Sequence, residues 1–222
     1  MRFAFIEGRK AEAQPGLRGS CPCCGSEVIA KCGRFKIRHW AHKNKTNCDP
    51  WWENESEWHR KWKSYFPAEW QEVVLQATNL ERHIADVYTP NQCVLEFQMS
   101  SIDEIEVRAR EGFYQNLSWV VNGQKNDFDK VYFNLSLKDP DPCDHRIRNF
   151  RWWGKSKLFH RWSSSTKPVY MDFGGDLVWQ ILSFDTSSKK GTVRAIEKEE
   201  FVRYFGGTYL ANNPLPQGLK TA

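Results

Sequence analysis

The stretch that most constrains this chain runs from Arg82 to Gln98. It reads Arg82-His83-Ile84-Ala85-Asp86-Val87, a turn at Thr89-Pro90-Asn91-Gln92, then Val94-Leu95-Glu96-Phe97-Gln98. Two short apolar-rich runs separated by Pro-Asn turn chemistry predict two strands. Residues two apart on a strand share a face. Glu96 and Gln98 therefore project together, and a hairpin can bring Asp86 beside them. Two carboxylates and an amide oxygen converging from apolar strands suit a hard divalent cation such as Mg²⁺ or Mn²⁺. The Phe97 carbonyl is a further candidate ligand. The competing reading is three polar residues on the wet face of an antiparallel hairpin.

The flanking segments extend this hairpin into an α/β pattern. Trp58, Trp62 and Tyr65 or Phe66 recur at spacings of three and four, which predicts a helix over 53–66 that Pro67 stops. Glu57 lies on that helix, and Glu55 shares a face with His59. A strand follows over 72–76. After the hairpin, Ser101 as N-cap and Glu104 at the matching capping-box position predict a helix to about Leu117, then a strand over 118–122. Helix, three strands, helix, strand is the order of an α/β core with a mixed sheet.

Upstream lies a cysteine and histidine cluster. Most of the seven cysteines fall between residues 21 and 48, close to His39 and His42. Cys21 and Cys24 form a Cys-x-x-Cys pair followed by Gly25, the outline of a zinc knuckle. A tetrahedral zinc takes four such ligands, usually as two spaced pairs. Cys21, Cys24, His42 and Cys48 make one set, with His39 as an alternate. The bland alternative is a group of buried thiols. A closed set of four would be structural, because so short and polar a segment has little core of its own.

Composition narrows the class. The chain has 222 residues, 11 Trp and a net charge of +5, and its mean hydropathy is −0.68. A polyanion partner is permitted by this charge but not demanded. No apolar run approaches the ~18 residues of a membrane span, and the first residues carry no long apolar signal core. A cytoplasmic chain without a membrane partner is expected. From 145 to 167 there are seven Arg or Lys and no acid, interleaved with Phe150, Trp152, Trp153, Phe159 and Trp162. Nucleic-acid surfaces use that mixture, so Arg148, Arg151 and Lys155 are candidate contacts; a solvated loop anchored by its Trp residues is the alternative. Arg110, four residues before Tyr114, either meets phosphate or pairs with Glu106. Ser100 is a weaker phosphate candidate. Residues 168–184 predict a hairpin, 191–196 a last strand and 197–205 a short helix, ahead of a frayed tail around 212–216. Three segments are expected: 1–50 with the zinc site, 51–125 as the α/β core, and 126–222 as a β-rich extension.

Several motifs in order resemble a known family. They are Cys-Pro-x-Cys-Gly, Gly-Arg-Phe, His-Trp-Ala-His, Glu-Ser-Glu-x-His with lysines behind it, Ala-Asp-Val, and Glu-Phe-Gln-x-Ser. Arg110, Tyr114 and Trp119-Val120-Val121 follow. Together they resemble the competence protein CoiA-like family over roughly residues 1–125. That family is regarded as part of the PD-(D/E)XK nuclease superfamily. The resemblance implies a restriction-endonuclease-like mixed sheet flanked by helices, with Asp86, Glu96 and Gln98 at the Asp, Glu and Lys positions of the motif. It implies a Mg²⁺- or Mn²⁺-dependent nuclease acting on DNA in competence, DNA processing or defence, either as a homodimer or with a partner protein. It further implies that the 53–66 helix lends a carboxylate to complete a metal shell, with Glu57 the candidate and Glu55 its competitor. Gln98 departs from the usual Lys. The alternative is a zinc-containing DNA-binding or adaptor module with a degenerate nuclease core.

Overall fold

The computed structural model describes residues 1–44, 48–51, 53, 55–99, 101–126 and 128–210. Ser100 and the tail beyond Leu210 lie outside the described residues. The chain is a mixed α/β protein with two sheets and few helices. It forms two compact units, Met1–Tyr88 together with Leu210, and Thr89–Tyr209.

The first unit opens with a five-stranded antiparallel sheet in the order β2-β1-β3-β4-β5. Its strands are β1 (Phe3–Ile6), β2 (Arg9–Glu12), β3 (Arg18–Ser20), β4 (Glu27–Lys31) and β5 (His39–His42). Met1, Ala4, Ala13, Cys21, Cys23, Val28 and Trp40 form its core. Helix α1 (Glu57–Lys63) is shorter than the aromatic spacing predicts. Ser56 sets its start by accepting from the His59 amide, while the His59 ring accepts from the Ser56 amide. This reciprocal cap satisfies two backbone donors that the helix itself cannot. A 3₁₀ turn at Ala68–Trp70 leads into β6 (Gln71–Gln76), which pairs antiparallel with β7 (Arg82–Tyr88). Val74 and Ile84 from this hairpin pack on the core around Trp40.

The second unit places β8 (Val94–Gln98), β9 (Leu117–Asn122) and β12 (Val169–Asp172) in parallel. Every residue of these three strands is buried, as expected for parallel strands covered on both faces. Antiparallel strands β13 (Leu177–Asp185), β14 (Lys190–Glu197), β11 (Ile147–Arg151) and β10 (Leu137–Pro140) continue the sheet outward. Helices α2 (Glu104–Phe113), α3 (Asp129–Ser136), α4 (Leu158–Trp162) and α5 (Lys198–Tyr204) complete the unit.

Three local expectations need correction. Asp103, not Ser101, caps α2, accepting from the Glu106 amide at 2.8 Å. That helix ends at Phe113 rather than near Leu117. The segment 145–167 is also not an open loop. Phe150, Trp152, Phe159 and Trp162 are buried, and Phe133 stacks on Phe173 at 4.2 Å within the same aromatic core. The sequence pattern missed β10, β11, α3 and α4, because large aromatic residues at irregular spacing carry no clear period. The hairpin β12–β13, the strand β14 and the helix α5 fall where predicted.

Candidate metal centre and carboxylate cluster

The Cys-x-x-Cys segment is the loop of the β3–β4 hairpin, which Ser20 opposite Glu27 closes. The Cys21 amide donates to the Ser26 carbonyl and the Gly25 amide to the Cys21 carbonyl, both at 2.9 Å. Gly25 has φ +72°, a backbone geometry that favours glycine. The register Val28 opposite His42 then brings the end of β5 beside this loop. Cys48 is delivered from the other side by its neighbour. The Asp49 carboxylate accepts from the Ile84 amide and from the Trp51 amide and meets His83 Nδ1, all at 2.9–3.0 Å.

The result is a four-ligand cluster. The ligand atoms of Cys21, Cys24, His42 and Cys48 all lie within 4.8 Å of one another. Cys21 Sγ and Cys48 Sγ are 3.6 Å apart, and Cys24 Sγ is 3.3 Å from His42 Nε2. Two sulfurs each ~2.3 Å from a tetrahedral zinc stand about 3.8 Å apart. Donor set and spacing therefore fit a metal such as zinc. Burial pushes the Cys48 thiol up, with the Cys21 thiol beside it adding to the effect. Burial also raises Cys21. At Cys24 burial acts upward, but hydrogen bonds with Ser26 and His42 bring the thiol down to about 6. His39 is outside the cluster: it sits opposite Lys31 at the far end of the β4–β5 pair, and its Nδ1 contacts the Ile37 carbonyl. Cys23 is buried next to the site, and Cys32 packs on the sheet core.

A second cluster in the same unit is built on Lys63. Its buried ammonium lies 2.9 Å from Glu55 Oε1, 3.1 Å from Glu72 Oε1 and 3.4 Å from Asp86 Oδ1. Helix α1 supplies the cation, and the adjacent β6 and β7 supply Glu72 and Asp86. Glu72 is held at φ +48°, an uncommon conformation for a side-chain-bearing residue. Its carboxylate also accepts from the Arg2 and Phe3 amides at 2.8–2.9 Å. Glu55 is further paired with Arg60 at 3.0 Å. Burial alone would raise Glu55, but the Lys63 and Arg60 charges hold it down at about 2. The same attraction, from three carboxylates, outweighs burial and raises Lys63. Of the two competing helix carboxylates, Glu55 joins this cluster, whereas Glu57 stands exposed at the first position of α1.

In the second unit Glu96 and Gln98 are both buried on β8. Glu96 Oε2 accepts from Arg110 Nη1 at 2.9 Å. Arg110 also donates to Glu106 through Nε at 3.0 Å and lies over the Trp119 ring. Arg110 is 5% exposed. The guanidinium thus pairs with Glu106, one of its two expected partners, and with Glu96, which was not expected. Arg148 is half-buried and donates to the Lys138 carbonyl at 3.2 Å. Arg151 and Lys155 are exposed. Sequence reasoning missed Lys63, Glu72 and Asp49. Lys63 lies four residues after His59 on the same face of α1, a position that by itself marks no partner on β6 or β7.

Residues 17–50, which contain β3, β4, β5 and all four candidate zinc ligands, match the family model for the competence protein CoiA N-terminal domain. No curated protein and no solved structure matches the chain. The match is confined to this segment of the first unit.

Proposed function

We propose that this chain is a Mg²⁺- or Mn²⁺-dependent nuclease that hydrolyses phosphodiester bonds in DNA, with a restriction-endonuclease-like core and a structural zinc held by Cys21, Cys24, His42 and Cys48. The observation that carries the proposal is the buried convergence of Glu55, Glu72 and Asp86 on Lys63. Buried charges are costly to assemble and give weak returns in stability alone. A strand carboxylate kept next to a fixed ammonium suits chemistry on a phosphate. Asp86 and Glu96 are the hard oxygen donors of the sequence motif, and a divalent cation on such donors lowers the pKa of a water and offsets charge on the phosphate. Gln98 would orient water through its amide.

The test is cleavage of duplex, single-stranded and branched DNA by the purified chain. Activity should require added Mg²⁺ or Mn²⁺ and disappear in Asp86→Ala and in Glu96→Ala. Undiminished cleavage in both variants would sink the proposal. One observation favours the second reading, a non-catalytic DNA-binding or adaptor module: Glu96 is already neutralised by Arg110 at 2.9 Å. Thermal stabilisation by Mg²⁺ or Mn²⁺ that vanishes in Asp86→Asn supports a metal site over the adaptor.

A further inference from the structure

Trp152 and Trp153 are neighbours with opposite fates. Trp152 is fully buried, while Trp153 is 61% exposed. Trp153 borders an open groove of about 710 Å³ whose walls include Lys138, Asn149, Arg151, Lys190 and Thr192. The register of β11 and β14 explains how these residues meet. Phe150 turns inward, so Asn149 and Arg151 both face solvent. Across the pair, Asn149 stands opposite Thr192 and Arg151 opposite Lys190. Thr192 Oγ1 donates to Asn149 Oδ1 at 2.8 Å. Gly191, between exposed Lys190 and half-buried Thr192, keeps the floor close: a Cβ there would lie 2.6 Å from the Phe150 ring and from the Ser183 carbonyl oxygen.

Two features of this face are unfavourable for a surface that meets only water. Like charges directly opposite each other on antiparallel strands repel, and Arg151 and Lys190 occupy such a pair. A large exposed indole, with the Arg151 guanidinium 4.5 Å from its ring centroid, adds apolar surface at the same place. Asp185, the acid bordering the groove, stands on β13 opposite Lys190, and its carboxylate accepts from Ser187 Oγ and the Ser188 amide in its own turn. Both features become favourable with one kind of partner. Phosphates neutralise the paired cations, and an unstacked base covers the indole. A duplex keeps its base faces occupied and offers the ring nothing to stack on.

We propose that the groove of Arg151, Trp153, Lys190 and Lys138 binds single-stranded nucleic acid. It takes from the proposed nuclease reading only that nucleic acid is the partner. The test is anisotropy of a labelled oligothymidylate of about 16 nucleotides, titrated with the full chain in Mg²⁺-free buffer. The single strand is expected to bind at least ~10-fold more tightly than a duplex of equal length, and Trp153→Ala to lose about tenfold, within the range of one lost base stack. Trp153→Phe should recover most of that loss. Arg151→Glu with Lys190→Glu should lower the slope of log affinity against log salt by about 1.4, two phosphates at ~0.7 each. Wild-type affinity in Trp153→Ala would overturn the proposal. So would equal binding of duplex, or equal competition by polyglutamate, because charge alone would then account for the face. Repeating the titration with Asp86→Ala separates the two readings. Cleavage lost with binding retained supports the groove. Cleavage by the wild-type chain that Asp86→Ala abolishes, together with binding indifferent to Trp153→Ala, refutes the groove and leaves the nuclease standing.

Discussion

The Cys₃His cluster and the Lys63 cluster lie in the same compact unit and solve the same problem in opposite ways. Both gather potential anions. The thiols of Cys21, Cys24 and Cys48 crowd together with His42, and burial raises Cys21 and Cys48. Three thiolates at such spacing need a cation from outside. The carboxylates of Glu55, Glu72 and Asp86 carry their cation within the chain, because Lys63 is built into α1. A metal bound by the first cluster would therefore tie folding of its sheet to itself. The second is complete as a protein structure. Its hard oxygen donors are held in place by the fold whether or not a further ion binds.

This contrast sets the largest expected effect. Structural zinc sites contribute of order 10–16 kcal/mol of apparent binding free energy that is also folding free energy. Cys24→Ser and Cys48→Ser should each lose stoichiometric zinc by atomic emission, and the amides of β3, β4 and β5 should lose protection from hydrogen exchange. Full zinc content with unchanged protection in either variant would break the comparison. Lys63→Met should come next. Removing one partner of a buried ion pair costs about 3–5 kcal/mol, since the other charges remain buried. Denaturant unfolding at neutral pH measures this, and zinc content should not change. A loss below ~1 kcal/mol would mean that the three carboxylates do not depend on Lys63.

The two clusters also differ in how far the sequence discloses them. The zinc set could be read from spacing: pairing of β4 with β5 brings His42 beside the Cys-x-x-Cys loop, and Cys48 follows six residues later. The mixed α/β class was legible from the order helix, three strands, helix, strand; that Val94–Gln98 and Leu117–Asn122 are buried parallel strands was not. The Lys63 cluster was not legible. A lysine on a helix full of Lys and Arg looks solvated, and nothing local shows that its face turns toward β6 and β7. The choice between Glu55 and Glu57 failed similarly. It depended on where α1 begins, which the Ser56 and His59 cap decides. Trp152 and Trp153 were indistinguishable for want of the β11 register.

The smallest expected effect sharpens the comparison by its pH dependence. Burial would raise the Glu55 carboxyl, but Lys63 and Arg60 hold it at about 2, below its ordinary value of 4.5. A depressed folded-state pKa means that the unfolded chain binds the proton first as pH falls. The stabilisation from ionised Glu55 is therefore fully present above about pH 4.5 and is lost progressively toward pH 2. The stability gap between the wild-type chain and Glu55→Gln, from urea midpoints, should be constant from neutral pH to about 5 and close below that. The zinc cluster moves the other way in kind: acid competes with the metal for thiolate and imidazole, so zinc is released as pH falls. Measuring zinc content beside the urea midpoints distinguishes the two. A Glu55→Gln gap that closes only in step with zinc release would assign the acid sensitivity to the metal centre. A gap that closes with zinc still bound would assign it to the Lys63 cluster.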